Sequence, residues 1–174
     1  MRVHTTLAAI AALAVSTAAF ASPAASGSHR FHADFPGKTT VSSASTGPVT
    51  RRTESCRVGS MLYVVRTFTV PESLARTATK KQTLLDTVRK GTLSKLHGKV
   101  VSETNVTVSG KPGRVMFIAL PNVRFHAMIK SLIDGNRIYE VIVIHPNDRG
   151  SMVAAANFLN SAKLTTGTVT LTKK

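Results

Sequence analysis

The sequence predicts an α+β fold in which an antiparallel β-sheet is covered by helices on both faces, an α/β/α sandwich. Three observations carry that prediction. Between Lys99 and Pro146, four strand-like runs are separated by turn residues, the pattern of an antiparallel meander. The last two of these runs are apolar on both faces, so neither face is left to water. Two further segments, one before the meander and one after it, carry apolar residues at helical spacing.

The chain opens on Met1-Arg2-Val3-His4, and from Leu7 to Ala19 it is apolar apart from Ser16 and Thr17. Ala19-Phe20-Ala21 then offers small residues at the two positions a signal peptidase reads, ahead of Ser22-Pro23. Residues 1–21 therefore read as a secretory signal peptide, cleaved near Ala21/Ser22. The alternative is an N-terminal membrane anchor, but the apolar run falls short of the roughly 20 residues a spanning helix needs. No cysteine stands at the cleavage site for lipid attachment, and no later segment is long and apolar enough to span. The expected location is periplasmic or secreted. Residues 22–30 read as a flexible leader and residues 31–174 as one domain.

Phe31 to Gly37 alternates apolar and polar residues and ends on Pro36-Gly37, a first strand and turn. Strands are expected around Thr39–Ser43 and Thr50–Cys56, and a stronger one over Met61–Val70, closed by Pro71. In the helix that follows, Thr79-Lys80-Lys81-Gln82 fits a capping box. Leu84, Leu85, Val88 and Leu96 fall on one arc of about 120°. Gly98 sits where a C-terminal cap belongs. Lys80, Lys81, Arg89, Lys90 and Lys95 scatter around the circumference, and Lys81 and Lys95 lie within the apolar arc. The meander comprises Lys99–Ser109, a turn at Gly110-Lys111-Pro112-Gly113, then Arg114–Leu120, Arg124–Ile133 and Arg137–Ile144. A two-residue turn at Gly135-Asn136 sets Ile133 opposite Ile138. That register puts Ile129, Ile133, Ile138, Ile142 and Ile144 on one face and Met128, Leu132, Tyr139, Val141 and Val143 on the other. A second helix fits Gly150 to Ala162, capped by Asp148 or Ser151, and Lys163–Thr172 reads as a last strand or extended tail.

Composition narrows the function classes. Removing 21 residues from 174 leaves 153, enough to bury a core. There is no Trp, so Val, Ile, Leu and Ala must fill that core. The formal charge is +15, or +14 once Arg2 leaves with the signal, a field that attracts anionic partners. Cys56 is the only cysteine, so no internal disulfide holds this exported domain; the thiol is either buried or free for an intermolecular bridge.

The search for chemistry yields no catalytic, cofactor-binding or metal-ligating set. Asp34, Glu54, Glu72, Asp86, Glu103, Asp134, Glu140 and Asp148 form no close sequence pair for acid/base work. His29 and His32 have His-x-x-His spacing but lie at the mobile start without helical context. His126 and His145 read as packed or surface imidazoles. No Gly-x-Ser-x-Gly elbow or phosphate loop is present. Asn105-Val106-Thr107 matches a glycosylation sequon inside a strand, a chance match. Phe117 and Phe125 lie near Arg114 and Arg124, but a sheet covered on both faces buries them, which argues against nucleic-acid binding by stacking.

Phe35-Pro36-Gly37, Gly98-Lys99-Val100-Val101-Ser102-Glu103, Pro112-Gly113-Arg114 and Asp134-Gly135-Asn136-Arg137-Ile138-Tyr139-Glu140-Val141, followed by a helix ending Phe158-Leu159, resemble bacterial exported proteins of uncharacterised function. Those in turn resemble the PsbP-like α/β/α sandwich, the fold of a photosystem oxygen-evolving subunit and of a Ran-binding nuclear protein. The resemblance covers about Phe31 to Leu164 and rests on turn and sheet residues. It implies a non-catalytic binding or assembly module and transfers no functional residue. The expected function is thus an exported, strongly basic binding or accessory module of the cell envelope. Its expected partner is an envelope protein, an anionic polymer or a lipid surface, with no cofactor. The competing expectation is an envelope hydrolase whose site is assembled from distant residues. A deep pocket joining a His to a carboxylate or Ser marks the hydrolase; a shallow one lined by apolar side chains and scattered Lys/Arg marks the module.

Overall fold

The computed structural model describes residues 30–122 and 124–165; residues 1–29, with the expected signal peptide and His29, and residues 166–174 lie outside them. The elements are β1 (Arg30–His32), β2 (Thr40–Thr46), β3 (Val49–Val58), β4 (Met61–Thr69), a 3₁₀ turn (Glu72–Leu74), α1 (Ala78–Leu96), β5 (Lys99–Val108), β6 (Lys111–Ala119), β7 (Phe125–Asp134), β8 (Arg137–Pro146), α2 (Arg149–Ser161) and β9 (Lys163–Thr165). Seven strands form one sheet in the order β2-β3-β4-β8-β7-β6-β5, every neighbouring pair antiparallel. β4 and β5 run the same way with three strands between them, and parallel strands need a crossover. α1 supplies it across one face. The meander β5–β8 then returns the chain to pair with β4.

The register expected at Gly135-Asn136 is the one observed: Ile133 faces Ile138 and Asp134 faces Arg137. Both faces are accordingly buried. On the α1 face, Val64, Ile118, Ile129 and Ile142 pack with Leu93 and Leu96, while Ile133 and Ile138 pack with Leu84, Leu85 and Val88. On the α2 face, Tyr63, Val141 and Val143 pack with Ala155, Phe158 and Leu159. Cys56 belongs to this second core and is 4% exposed, which settles the thiol as buried.

α2 is fixed at both ends. Asp148 Oδ1 accepts from Ser151 N at 2.9 Å, and those contacts hold the Asp148 carboxyl below its ordinary range. Lys130 Nζ donates to the carbonyls of Leu159 and Ala162 at 3.1 and 3.3 Å, placing a cation at the negative helix end. β1 and β9 form a separate two-stranded ribbon over the α2 face, where Phe31 stacks on Tyr139 with centroids 4.8 Å apart.

Four expectations are corrected. The first strand stops at His32 and takes in Arg30 from the leader, because its partner β9 pairs over only three residues. The cap of α1 is Thr77, whose side chain accepts from Lys80 N; Thr79 is already helical, and its carbonyl takes the Thr83 hydroxyl. The left-handed residue ending α1 is His97, at φ 50°, not Gly98. Gly98 is demanded by packing instead, since a Cβ there would lie 2.4 Å from Ile118 Cγ2. The β5–β6 turn is the two residues Ser109 and Gly110, both at positive φ, so Lys111, Pro112 and Gly113 belong to β6. Such two-residue primed turns match the right-handed twist of the strands they join.

A Cβ at Gly113 would lie 2.5 Å from the backbone oxygen of Ser131, on a central strand that cannot yield. Gly113→Ala is expected to lose about 1–3 kcal/mol of stability in urea denaturation. Gly91→Ala, in mid-α1 with nothing within 4 Å, is expected to gain about 0.5–1 kcal/mol.

Candidate functional site

Seven strands in register align one residue from each into a transverse row. On the α1 face that row is polar from edge to edge: Ser42, Thr53, Arg66, Glu140, Ser131, Arg114 and Asn105, each opposite the next. It separates the two apolar clusters under α1. At its centre Glu140 is 0% exposed. Arg66 Nη1 donates to Glu140 Oε2 at 3.2 Å, and the Thr92 hydroxyl of α1 donates to Oε1 at 2.5 Å. Burial pushes the Glu140 carboxyl above its ordinary range, against the pull of Arg66, Thr92 and Lys95.

Two ends of this row make different surroundings. Toward β5, Arg114 Nη2 meets Asp86 Oδ1 at 2.8 Å and its Nε meets Glu103 Oε1 at 3.1 Å; Arg89 Nε donates to both Glu103 oxygens at 2.9 and 2.8 Å. These four residues and Lys90 line an open cavity of about 300 Å³. Both carboxylates there are ion-paired, which removes them as a proton-sharing couple. Toward β3, Lys95 lies within electrostatic reach of both Arg66 and Arg51, with Glu140 as its counter-charge. Burial, then Arg66 and Arg51, lower the Lys95 ammonium below its ordinary range. This flank is open: every residue of β2 is exposed.

The α2 face carries a second hollow, open and about 340 Å³, between α2 and the β5–β6 half of the sheet. Thr104, Val115, Phe117, Met128, Met152 and Leu159 line it. Beside it His126 and His145 stand opposite each other on β7 and β8. Phe117 stacks on His126, with centroids 4.9 Å apart. His145 is 0% exposed, and burial lowers its imidazole below the ordinary range.

Of the residues singled out from the sequence, His32 is exposed on β1 and its Nε2 lies 2.8 Å from Asp34 Oδ1, a surface contact. His29 lies outside the described residues. Phe125 is half-buried against the α1-face core, as expected; Phe117 faces the other side, against the two imidazoles. Asn105 sits in β5 and accepts from Arg114 Nε at 3.4 Å. His126 and His145 are packed together. Among the described residues no three His, Cys, Asp or Glu converge. The Arg66–Glu140–Thr92 contact escaped the sequence reading; its legible trace was Lys95 inside the apolar arc.

No family model matches the sequence, and no curated protein matches it. Among solved structures, the solution structure of cyanobacterial PsbP (CyanoP) from Synechocystis sp. PCC 6803 is similar to this chain. The TM-score is 0.54 at 10% identity, over 84% of this chain and 98% of that one. The fold is PsbP-like. At that identity the PsbP-like match describes architecture, and no helix of the described residues is long and apolar enough to cross a membrane.

Replacing Arg66 by Met strands a buried carboxylate, so Arg66→Met is expected to cost about 3–5 kcal/mol in urea denaturation. The double variant Arg66→Met/Glu140→Leu is expected to regain most of that loss. His145 gives a pH signature. The unfolded imidazole takes a proton near its ordinary 6.5, the folded one only at lower pH. Stability is therefore whole above pH 6.5 and falls below it, by up to about 1.4 kcal/mol per pH unit. The difference between the natural protein and His145→Phe, followed by denaturation from pH 8 to 5, is expected to show that slope.

Proposed function

We propose that the chain works outside the cytoplasm as a non-catalytic binding or accessory module, and that its basic α1 face engages an anionic partner of the cell envelope. The observation that carries this reading is the cluster of Arg51, Arg66 and Lys95: Lys95 senses both arginines, while the buried carboxylate of Glu140 answers Arg66 and Lys95. Arg66 is held in place by that carboxylate, so its charge is pre-positioned; Arg51 and Lys95 flank it without a carboxylate of their own. An anion arriving there relieves repulsion among three cations and meets an orienting guanidinium. The hydroxyl-bearing residues Ser42, Thr53 and Ser55 continue the same face across β3 and β2. The signal sequence and the +15 formal charge support the same reading. The two hollows are both open and neither joins a His to a carboxylate, as the hydrolase would need.

Heparin serves as a test anion. The protein is expected to be retained on heparin and released by salt, with a linear log–log dependence of affinity on salt concentration. Arg51→Gln/Lys95→Gln, which leaves the Arg66–Glu140 pair intact, is expected to reduce that slope by about 2. Retention unaffected by salt, or an unchanged slope in the double variant, overturns the assignment.

A further inference from the structure

The α2 face holds two ring nitrogens that nothing explains. Among the described residues, His126 Nδ1 and His145 Nε2 are buried without a hydrogen-bond partner. Leaving such an atom unsatisfied is costly, and these two belong to side chains directly opposite one another. Their chemistry can be fixed further. His145 Nδ1 lies 2.8 Å from the carbonyl oxygen of Pro146, an atom that only accepts. Nδ1 therefore carries the proton, and Nε2 presents a bare lone pair to a dry interior. A backbone carbonyl holding one imidazole nitrogen while the other faces inward is the arrangement that orients a metal-ligating histidine.

The neighbouring donor is sulfur. Met128 lies two residues from His126 on the same face of β7 and opposite Phe117, whose ring stacks on His126. The His126 and His145 ring centroids lie 6.2 Å apart, and Met128 is the next residue on that face of β7, about 7 Å along the strand. Met128 lines the open hollow together with the exposed Met152. Two imidazoles and a thioether, without a carboxylate or thiolate, are a soft set that disfavours calcium, magnesium and a four-coordinate zinc site. We propose that His126, His145 and Met128 form a binding site for copper(I). The site stands on the face opposite the basic one and does not depend on the anionic-partner reading.

The purified protein is titrated with copper(I) under a reductant, against a chromogenic copper(I) chelator. One copper per chain is expected, and His145→Gln and Met128→Leu are each expected to weaken binding about tenfold or more. X-ray absorption of the natural protein is expected to show both nitrogen and sulfur neighbours, which keeps the test decisive should either variant fail to fold. Absence of copper binding, which leaves water as the partner of the two nitrogens, overturns the proposal. So does a copper site that survives both variants but is lost in His32→Gln or Cys56→Ser, or one without sulfur.

Discussion

The contact on which the α1 face depends is a single carboxylate buried in the middle of a seven-stranded sheet. Glu140 is tied laterally to Arg66 on β4 and vertically to Thr92 on α1. Such a pair adds little net stability over apolar residues of similar volume, but it tolerates few alternative arrangements. If α1 slid by one turn, Val88 or Leu96 would replace Thr92 over the carboxylate, leaving an oxygen unsatisfied. The polar row thus sets the longitudinal position of α1, and with it which leucines meet which isoleucines. Leu84, Leu85 and Val88 fall on one side of the row, and Leu93 and Leu96 on the other. The orientation of the Arg66 guanidinium follows from the same contact.

The two faces of the sheet therefore differ in kind, although the same strands build both. One is split by charge and leaves cations at an uncovered flank. The other is mainly apolar, aromatic and rich in methionine, and the two imidazoles and Lys130 are among its polar groups. Because side chains alternate along each strand, the β8 sequence Tyr139-Glu140-Val141-Ile142-Val143-Ile144-His145 assigns Glu140 to the first face and His145 to the second. Neither face constrains the chemistry of the other. A protein with two unlike surfaces on one rigid sheet can hold two partners without a conformational change.

Much of this architecture was legible. The pairing of Ile133 with Ile138 follows from Gly135-Asn136 alone, and the apolar alternation on both sides of that hairpin already demanded two covering layers. Local ambiguities defeated the finer assignments. Thr77 and Thr79 are both competent caps, and what chooses Thr77 is where the chain leaves the 3₁₀ turn, with Lys80 Nζ reaching Ser73 O at 2.7 Å. Gly98 looked like a helix terminator, while its real reason lies in Ile118, 20 residues away in sequence. The polar row lay further out of reach. Arg66 and Glu140 are separated by 74 residues, and nothing in either local pattern says that β4 and β8 are neighbours. Likewise, the two histidines could be placed in or beside strands, but their shared lack of partners exists only in three dimensions.

The β1–β9 ribbon joins the first and last described residues of the domain at one corner, through three antiparallel residue pairs. Tension applied to the two ends would load those pairs one after another, as a zipper opens, instead of shearing the seven-stranded sheet all at once. Phe31 would lift from Tyr139 while the polar row and both helices kept their places. Mechanically, the three-pair ribbon is the seam that opens first when the two ends of the described domain are drawn apart.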